Sequence, residues 1–306
     1  MKKLGGGYCE GVLVIPPKQL KTIEPVFVIL TVTGQACFSI KKQLDDMEIS
    51  YITYMEYILI QNYEKFEWVY HQLEDECSKK TYLYILLSYL TSDMTYLKKI
   101  FVKNQYFEIP EFYMLSSDEV FVDCGAYTGD TLEQYINIKA GTFKKIYSFE
   151  PTEKMVHALQ IRKDRLVKEW ALEAEQIIIE KKMLAEKSGI RYFMESVQDG
   201  KQNRMGKEEQ IESKPIPAVS LDEYFADKNE KPTFIKADIE GSEIELLKGA
   251  KKIITEKKPL LAICIYHRAE DFYEIPRLLK QFCPEYKMSI RHHMPNYYET
   301  VLYCYL

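Results

Sequence analysis

The stretch Glu119-Val-Phe-Val-Asp-Cys-Gly-Ala-Tyr-Thr-Gly-Asp130 constrains this chain more than any other. An apolar run, Val120 to Val122, breaks at an acid and opens into a turn with Gly125 and Gly129 before the helical pattern that begins at Thr131 and Leu132. A strand that feeds a glycine turn and then a helix is how a parallel sheet presents its ligand-binding edge, because the glycines let the backbone turn and approach a ligand. Downstream, Lys145-Ile-Tyr-Ser-Phe-Glu150-Pro151 reads as a second strand ending in a carboxylate, suited to ribose hydroxyls. The two segments together describe a nucleoside pocket.

Charge selects among nucleoside cofactors. A dinucleotide fingerprint is G-x-G-x-x-G, with the pyrophosphate received at the helix N-terminus. Here the pattern is Asp123-x-Gly125-x-x-x-Gly129, and Asp123 stands where a diphosphate would be repelled. S-adenosyl-L-methionine has no phosphate and brings a sulfonium and an ammonium, so the acid favours this methyl donor. Asp123, Gly125, Ala126 and Gly129 are therefore expected in the cofactor site, with Glu150 holding both ribose hydroxyls through charge-assisted hydrogen bonds of about 1.5–3 kcal/mol each. A glycine turn with a helix-capping acid and no ligand would explain the first segment but not the strand-borne acid after it.

At 306 residues the chain suits one large domain plus a smaller one. A net charge of −5 supplies no field that would draw it to nucleic acid or anionic lipid, and neither partner is expected. Seven cysteines with no C-x-x-C pair form neither a disulfide framework nor a zinc ribbon. Cys124, Cys264 and Cys304 lie in apolar runs and read as reduced core residues, which points to the cytoplasm. The apolar stretches are too short to span a bilayer, and the first residues lack the apolar core of a signal peptide. Oligomeric state is left open, a homo-oligomer included.

The N-terminal region, residues 1–110, has its own texture. Pro25–Val32 reads as a strand, Gln35–Asp46 as an amphipathic helix and Ile49–Thr53 as a further strand, a small βαβ-like unit. Tyr54–Phe107 turns helical and tyrosine-rich, as helical core and lid or as an aromatic surface for substrate or partner. Proline at Ile109-Pro110-Glu111 marks the expected boundary to a second domain, 111–306. There, strands and helices alternate, which predicts an α/β fold with a doubly wound, mostly parallel sheet. The last two strands, near 286–292 and 300–306, are close enough for an antiparallel C-terminal edge. Two short strands, Ile190–Phe193 and Ile216–Val219, flank a polar loop, Asp199–Gln210, that reads as a lid or a plain surface excursion.

Thr233-Phe-Ile-Lys-Ala-Asp238-Ile-Glu240-Gly241-Ser-Glu243 repeats the first logic: apolar strand, acids at its end, glycine, helix. In an open parallel sheet the crevice lies at the carboxyl ends of the strands, so Asp238 and Glu240 should face the cleft of Asp123 and Glu150. Helix capping accounts for Glu240 or Ser242, less well for the strand-terminal Asp238.

With both constellations in view, the chain resembles the FkbM family of S-adenosylmethionine-dependent methyltransferases. The matching stretches are Val120–Thr131, Ser148–Pro151, Ser220–Tyr224, Ile235–Glu243 and Leu247–Ala250, and the likeness runs over about 115–306. The resemblance implies a class I methyltransferase fold and methyl transfer, commonly to a hydroxyl oxygen of a sugar or sugar-containing small molecule. Tyr127 departs from the small or polar residue usual at its position, and Met183–Gly189 aligns loosely, with Glu186 as the expected partner of the adenine amine.

Attack by an alcohol oxygen needs a base to take its proton. His267, closing Leu260–His267, is the expected proton acceptor, with Asp238 orienting substrate or cofactor. Glu240, His267 and Arg291 are the expected substrate contacts; Arg291-His292-His293 invites a metal with Asp238, but adjacent strand residues face opposite sides, and no metal is assigned. Two rival readings stand beside the methyltransferase: an NAD-dependent oxidoreductase, and a non-catalytic cofactor-binding or partner-docking protein.

Overall fold

The computed structural model describes residues 7–9, 12–24, 26–32, 34–194, 204–206 and 213–306. The chain divides into two compact units, Met1–Tyr63 and Glu64–Leu306. In the first, strands Val28–Leu30 and Tyr51–Thr53 pair in parallel across helix Gly34–Asp46, around a core of Leu30, Leu44 and Ile49. This is the expected βαβ arrangement, with strands shorter than the apolar runs suggest. Thr53 caps the following helix, Tyr54–Gln61, reciprocally with Glu56.

The second unit is built on one seven-stranded sheet. Its strands in chain order are β1 (Val120–Cys124), β2 (Lys145–Phe149), β3 (Ile177–Glu180), β4 (Phe234–Ala237), β5 (Leu260–Cys264), β6 (Lys287–His292) and β7 (Thr300–Tyr305). The spatial order is β6-β7-β5-β4-β1-β2-β3. Strands β3, β2, β1, β4 and β5 run in parallel, whereas β7 is antiparallel to both β5 and β6 and lies between them. The doubly wound sheet and its antiparallel edge follow the alternation read from sequence.

The continuous apolar runs are explained by burial on both faces. Val120, Phe121 and Val122 are all 2% exposed or less. Helices Asp130–Ile138 and Glu153–Glu169 follow β1 and β2; Glu243–Gly249 with Lys251–Lys257, and Asp271–Phe282, follow β4 and β5. Phe121 stacks on Tyr135 at 4.2 Å, and Phe107, Phe112 and Phe234 extend this aromatic core. Cys124, Cys264 and Cys304 are free and buried.

The dividing line falls after Tyr63 rather than near Pro110, because the helical segment belongs to the sheet. Helix Glu76–Thr91 covers the edge strand β6: Ser289 Oγ donates to Asp75 Oδ2 at 2.8 Å, and the amide of Ile290 donates to Ser78 Oγ at 2.9 Å. An edge strand left open invites pairing with another chain, and this helix closes it.

The strands expected around the polar loop are Gly189–Met194 and Ser213–Val219, antiparallel neighbours in a separate four-stranded sheet with Met183–Leu184 and Arg204–Gly206. The loop Asp199–Gln210 lies, apart from 204–206, outside the described residues. Among the described residues no helix is long and apolar enough to cross a membrane.

Candidate active site

The glycine turn after β1 is held from below. Gly125 has φ +82°, and a Cβ there would overlap the carbonyl of Asp238, so the turns after β1 and β4 touch only because this residue has no side chain. The amides of Gly125 and Ala126 both donate to Phe149 O at 3.0 Å, which ties the turn to β2. Gly129, with φ +85°, opens helix Asp130–Ile138.

Asp123 does not face the cleft openly. It is fully buried, and its Oδ1 lies 3.0 Å from Nζ of Lys236, itself buried on β4. Burial pushes the Asp123 carboxyl up against the opposing pull of Lys236. For Lys236, burial would lower the ammonium pKa, but Asp123 and Asp238 outweigh it and the group stays charged. The same Nζ donates to Gly125 O at 2.9 Å, so one lysine neutralises the acid and fixes the turn above it. Asp123 thus stands beneath the turn as a paired charge, not as an open one.

Glu150 sits at the end of β2, 6% exposed. Its Oε2 accepts from the Tyr127 amide at 3.1 Å and its Oε1 from the Thr152 amide at 2.8 Å. Burial raises its pKa, and these two amides partly offset the rise. Each oxygen keeps a second lone pair for a ligand hydroxyl.

At the end of β4 a group of acids closes around one imidazole. Asp238 Oδ2 accepts from Tyr106 Oη at 3.0 Å and Oδ1 from Tyr266 Oη at 3.3 Å. His267 Nε2 stands 3.3 Å from Asp238 Oδ1 and 3.8 Å from Glu240 Oε2, and Nδ1 stands 3.0 Å from Glu243 Oε1. These are ion-pair approaches with poor hydrogen-bond direction, since neither ring nitrogen makes a directed hydrogen bond. Glu243, with no exposed side-chain surface, also accepts the Ile239 amide at 2.9 Å and so fixes the turn.

Burial alone would lower the pKa of His267, but Asp238 and Glu243 carry it up to about 11. Burial would raise Asp238, but His267 and Lys236 hold its carboxyl well below the usual range. The two carboxylates thus favour the protonated ring, in which form His267 would donate a proton rather than accept one. One ligand atom each of Asp238, Glu243 and His267 falls within 4.8 Å of the others, a spacing a metal could use only with the ring deprotonated.

Glu240 stands apart from its neighbours. Its side chain is 39% exposed, against 24% for Asp238 and none for Glu243, and its φ is +55°. Burial, then the charges of Asp238, Glu243 and Glu299 against the pull of His267, push its carboxyl up to about 7.

One expected residue has a different set of partners. Arg291, expected to touch substrate, points its guanidinium at Asp75 (3.3 Å) and Ser78 Oγ (2.7 Å); it fastens helix Glu76–Thr91 to β6. The neighbouring His292 and His293 are buried, with Thr300, Asn296, Val102 and Tyr303 as partners. Glu186 is exposed on the turn after Met183–Leu184, outside the seven-stranded sheet.

Sequence reading gave no role to Lys236, Tyr106, Tyr266 or Glu243. Lys236 had a signal, a charge inside an apolar strand. Tyr106 had none, because its contact with Asp238 spans 132 positions.

A family model, the methyltransferase FkbM domain, matches residues 123–286, more than half of the chain. The structure resembles that of methyltransferase FkbM from Methylobacillus flagellatus KT, with a TM-score of 0.68 and 23% identity, over 96% of this chain and 79% of that one. Aeropyrum pernix fibrillarin, solved with natively bound S-adenosyl-L-methionine, is similar at a TM-score of 0.40 and 11% identity, over 65% of this chain and 71% of that one. No curated protein matches. The sheet order and the family match agree on a class I, S-adenosylmethionine-dependent methyltransferase, and the chain belongs to the FkbM methyltransferase family.

Proposed function

We propose that the chain methylates a hydroxyl oxygen on a saccharide or a sugar-containing small molecule. The observation that carries this reading is the lining of the β4–β5 strand ends, where Glu240 and an Asp238 held by the hydroxyls of Tyr106 and Tyr266 stand beside His267. Such a surface offers many hydrogen-bond acceptors and one fixed cationic donor. It suits a neutral, polyhydroxylated acceptor and disfavours an anionic one.

The cofactor fits this chain by donor chemistry. Three carboxylates at strand ends, Glu150, Asp238 and Glu240, suit a ligand with ribose hydroxyls, an ammonium and a sulfonium, while the cations at the glycine turn are already paired, Lys236 with Asp123 and Arg162 with Glu133. When bound, S-adenosylmethionine supplies a methyl group activated by the sulfonium. In our reading Gly125, Ala126 and Gly129 shape the turn against it, Glu150 accepts from ribose hydroxyls, and Asp238 attracts the positive end. Asp123 acts through Lys236. His267 Nε2 donates to the acceptor oxygen and orients it, so that alignment contributes most of the rate. Glu186 remains the proposed neighbour of the adenine amine.

Calorimetric titration with S-adenosylhomocysteine and with NAD tests the cofactor pocket. Tighter binding of NAD would sink the reading. Incubation with methyl-labelled cofactor and a panel of monosaccharides and glycosides, followed by mass spectrometry, is expected to place the label on oxygen. Label on nitrogen or carbon would end the hydroxyl assignment.

A further inference from the structure

We propose that the Glu240 carboxylate takes the acceptor's hydroxyl proton and retains it after transfer, an inference that rests on the hydroxyl-acceptor reading and names the base within it. Three carboxylates border His267, and two are occupied. Asp238 has one tyrosine hydroxyl on each oxygen. Glu243 is sealed from solvent, with its Oε1 bound to the Ile239 amide and its Oε2 out of a ligand's reach. Glu240 accepts no hydrogen bond among the described residues, has its side chain 39% exposed, and lies 3.8 Å from His267 Nε2.

Its backbone supports a special placement. Glu240 adopts φ +55° and Gly241 φ +92°, so a non-glycine residue is kept in a left-handed conformation that most side chains avoid. Such conformations persist where surrounding structure enforces them, here through the Glu243–Ile239 bond.

The groups facing Glu240 are His267 beyond β5, Asp238 and Glu243 on either side of its own turn, and Glu299 at the start of β7. His267 lies between Asp238 and Glu243, which favour its protonated form, and this leaves Glu240 as the acceptor. A carboxyl near neutrality can both accept a proton during the reaction and lose it afterwards. In the step, the acceptor oxygen forms its bond to the methyl carbon, the carbon–sulfur electron pair stays with sulfur, and the hydroxyl proton passes to a Glu240 oxygen. The site loses the sulfonium charge and regains one positive charge as that proton.

The charge exchange can be read without any acceptor. Calorimetry at pH 7 in buffers of differing ionisation heat counts the protons bound along with S-adenosylmethionine and with S-adenosylhomocysteine. Binding of the second should take up more, by about 0.5 proton per chain if removing the sulfonium raises the carboxyl by about one pKa unit. The difference should vanish in Glu240→Gln and persist in Glu240→Asp. It should also persist in Asp271→Asn, which removes the other carboxyl pushed up to about 7. Equal proton counts for the two ligands in the unaltered protein, or a difference that survives Glu240→Gln, would overturn the proposal and leave the methyltransferase assignment standing. Label found on nitrogen or carbon would instead strike the reading beneath it.

Discussion

Lys236 Nζ lies 3.0 Å from Asp123 Oδ1 and 2.9 Å from the carbonyl of Gly125, which makes one buried amine both the counter-ion of β1 and the support of the glycine turn. Removing it leaves Asp123 charged and unpaired, a situation that costs about 3–5 kcal/mol in buried pairs. Lys236→Met is expected to lower the midpoint of urea unfolding accordingly and to weaken S-adenosylhomocysteine binding. An unchanged midpoint would show that the pair contributes nothing.

Gly125 admits no side chain. Gly125→Ala would meet the Asp238 carbonyl and carry a left-handed penalty of roughly 1–2 kcal/mol before any clash is counted. Thermal unfolding should drop by several degrees, about 2–4 °C per kcal/mol for a unit of this size. Retention of both melting temperature and cofactor affinity would mean that the turns after β1 and β4 do not pack as described.

His292 and His293 give the fold a pH dependence. Burial pushes both down to about 4 from an ordinary 6.5. Between those values the unfolded chain binds more protons than the folded one, so stability is full above about pH 6.5, falls as pH drops towards 4, and flattens below. The loss amounts to about 3 kcal/mol per histidine at most. Denaturation measured from pH 8 to pH 4 should show the slope, and His293→Gln should reduce it; an equal slope in that variant would assign the effect to other groups.

Arg291 separates stability from function. Arg291→Ala removes the clasp between Asp75 and β6 and is expected to cost about 1.5–3 kcal/mol, as for a hydrogen bond to a charged group. Hydrogen exchange should quicken in helix Glu76–Thr91 while S-adenosylhomocysteine affinity stays the same. Loss of affinity without faster exchange would restore Arg291 to the ligand site.

Local patterns were legible in the sequence and partnerships across the sheet were not. The strand, turn and helix around Asp123 and around Asp238 are written in consecutive residues, so both were readable. That Lys236 meets Asp123 depends on β4 lying beside β1, with Lys236 and Asp123 in register. The charge on His267 is a property of several groups at once: a strand-end histidine reads as a base until Asp238 and Glu243 are seen on either side of it. Arg291 misled because a strand end usually points to the crevice, whereas β6 is the edge strand and its arginine serves the helix that covers it. The helical stretch before Pro110 misled in a similar way, since proline marks a local break but not which core a segment joins.

The insertion of β7 between β5 and β6 orders events during synthesis. Until Thr300–Tyr305 leaves the ribosome, β5 and β6 have a vacant slot between them, and the helix over β6 has only a loose ribbon to rest on. Completion of this side of the sheet must therefore wait for β7, which follows both of its neighbours in the chain and acts as their keystone.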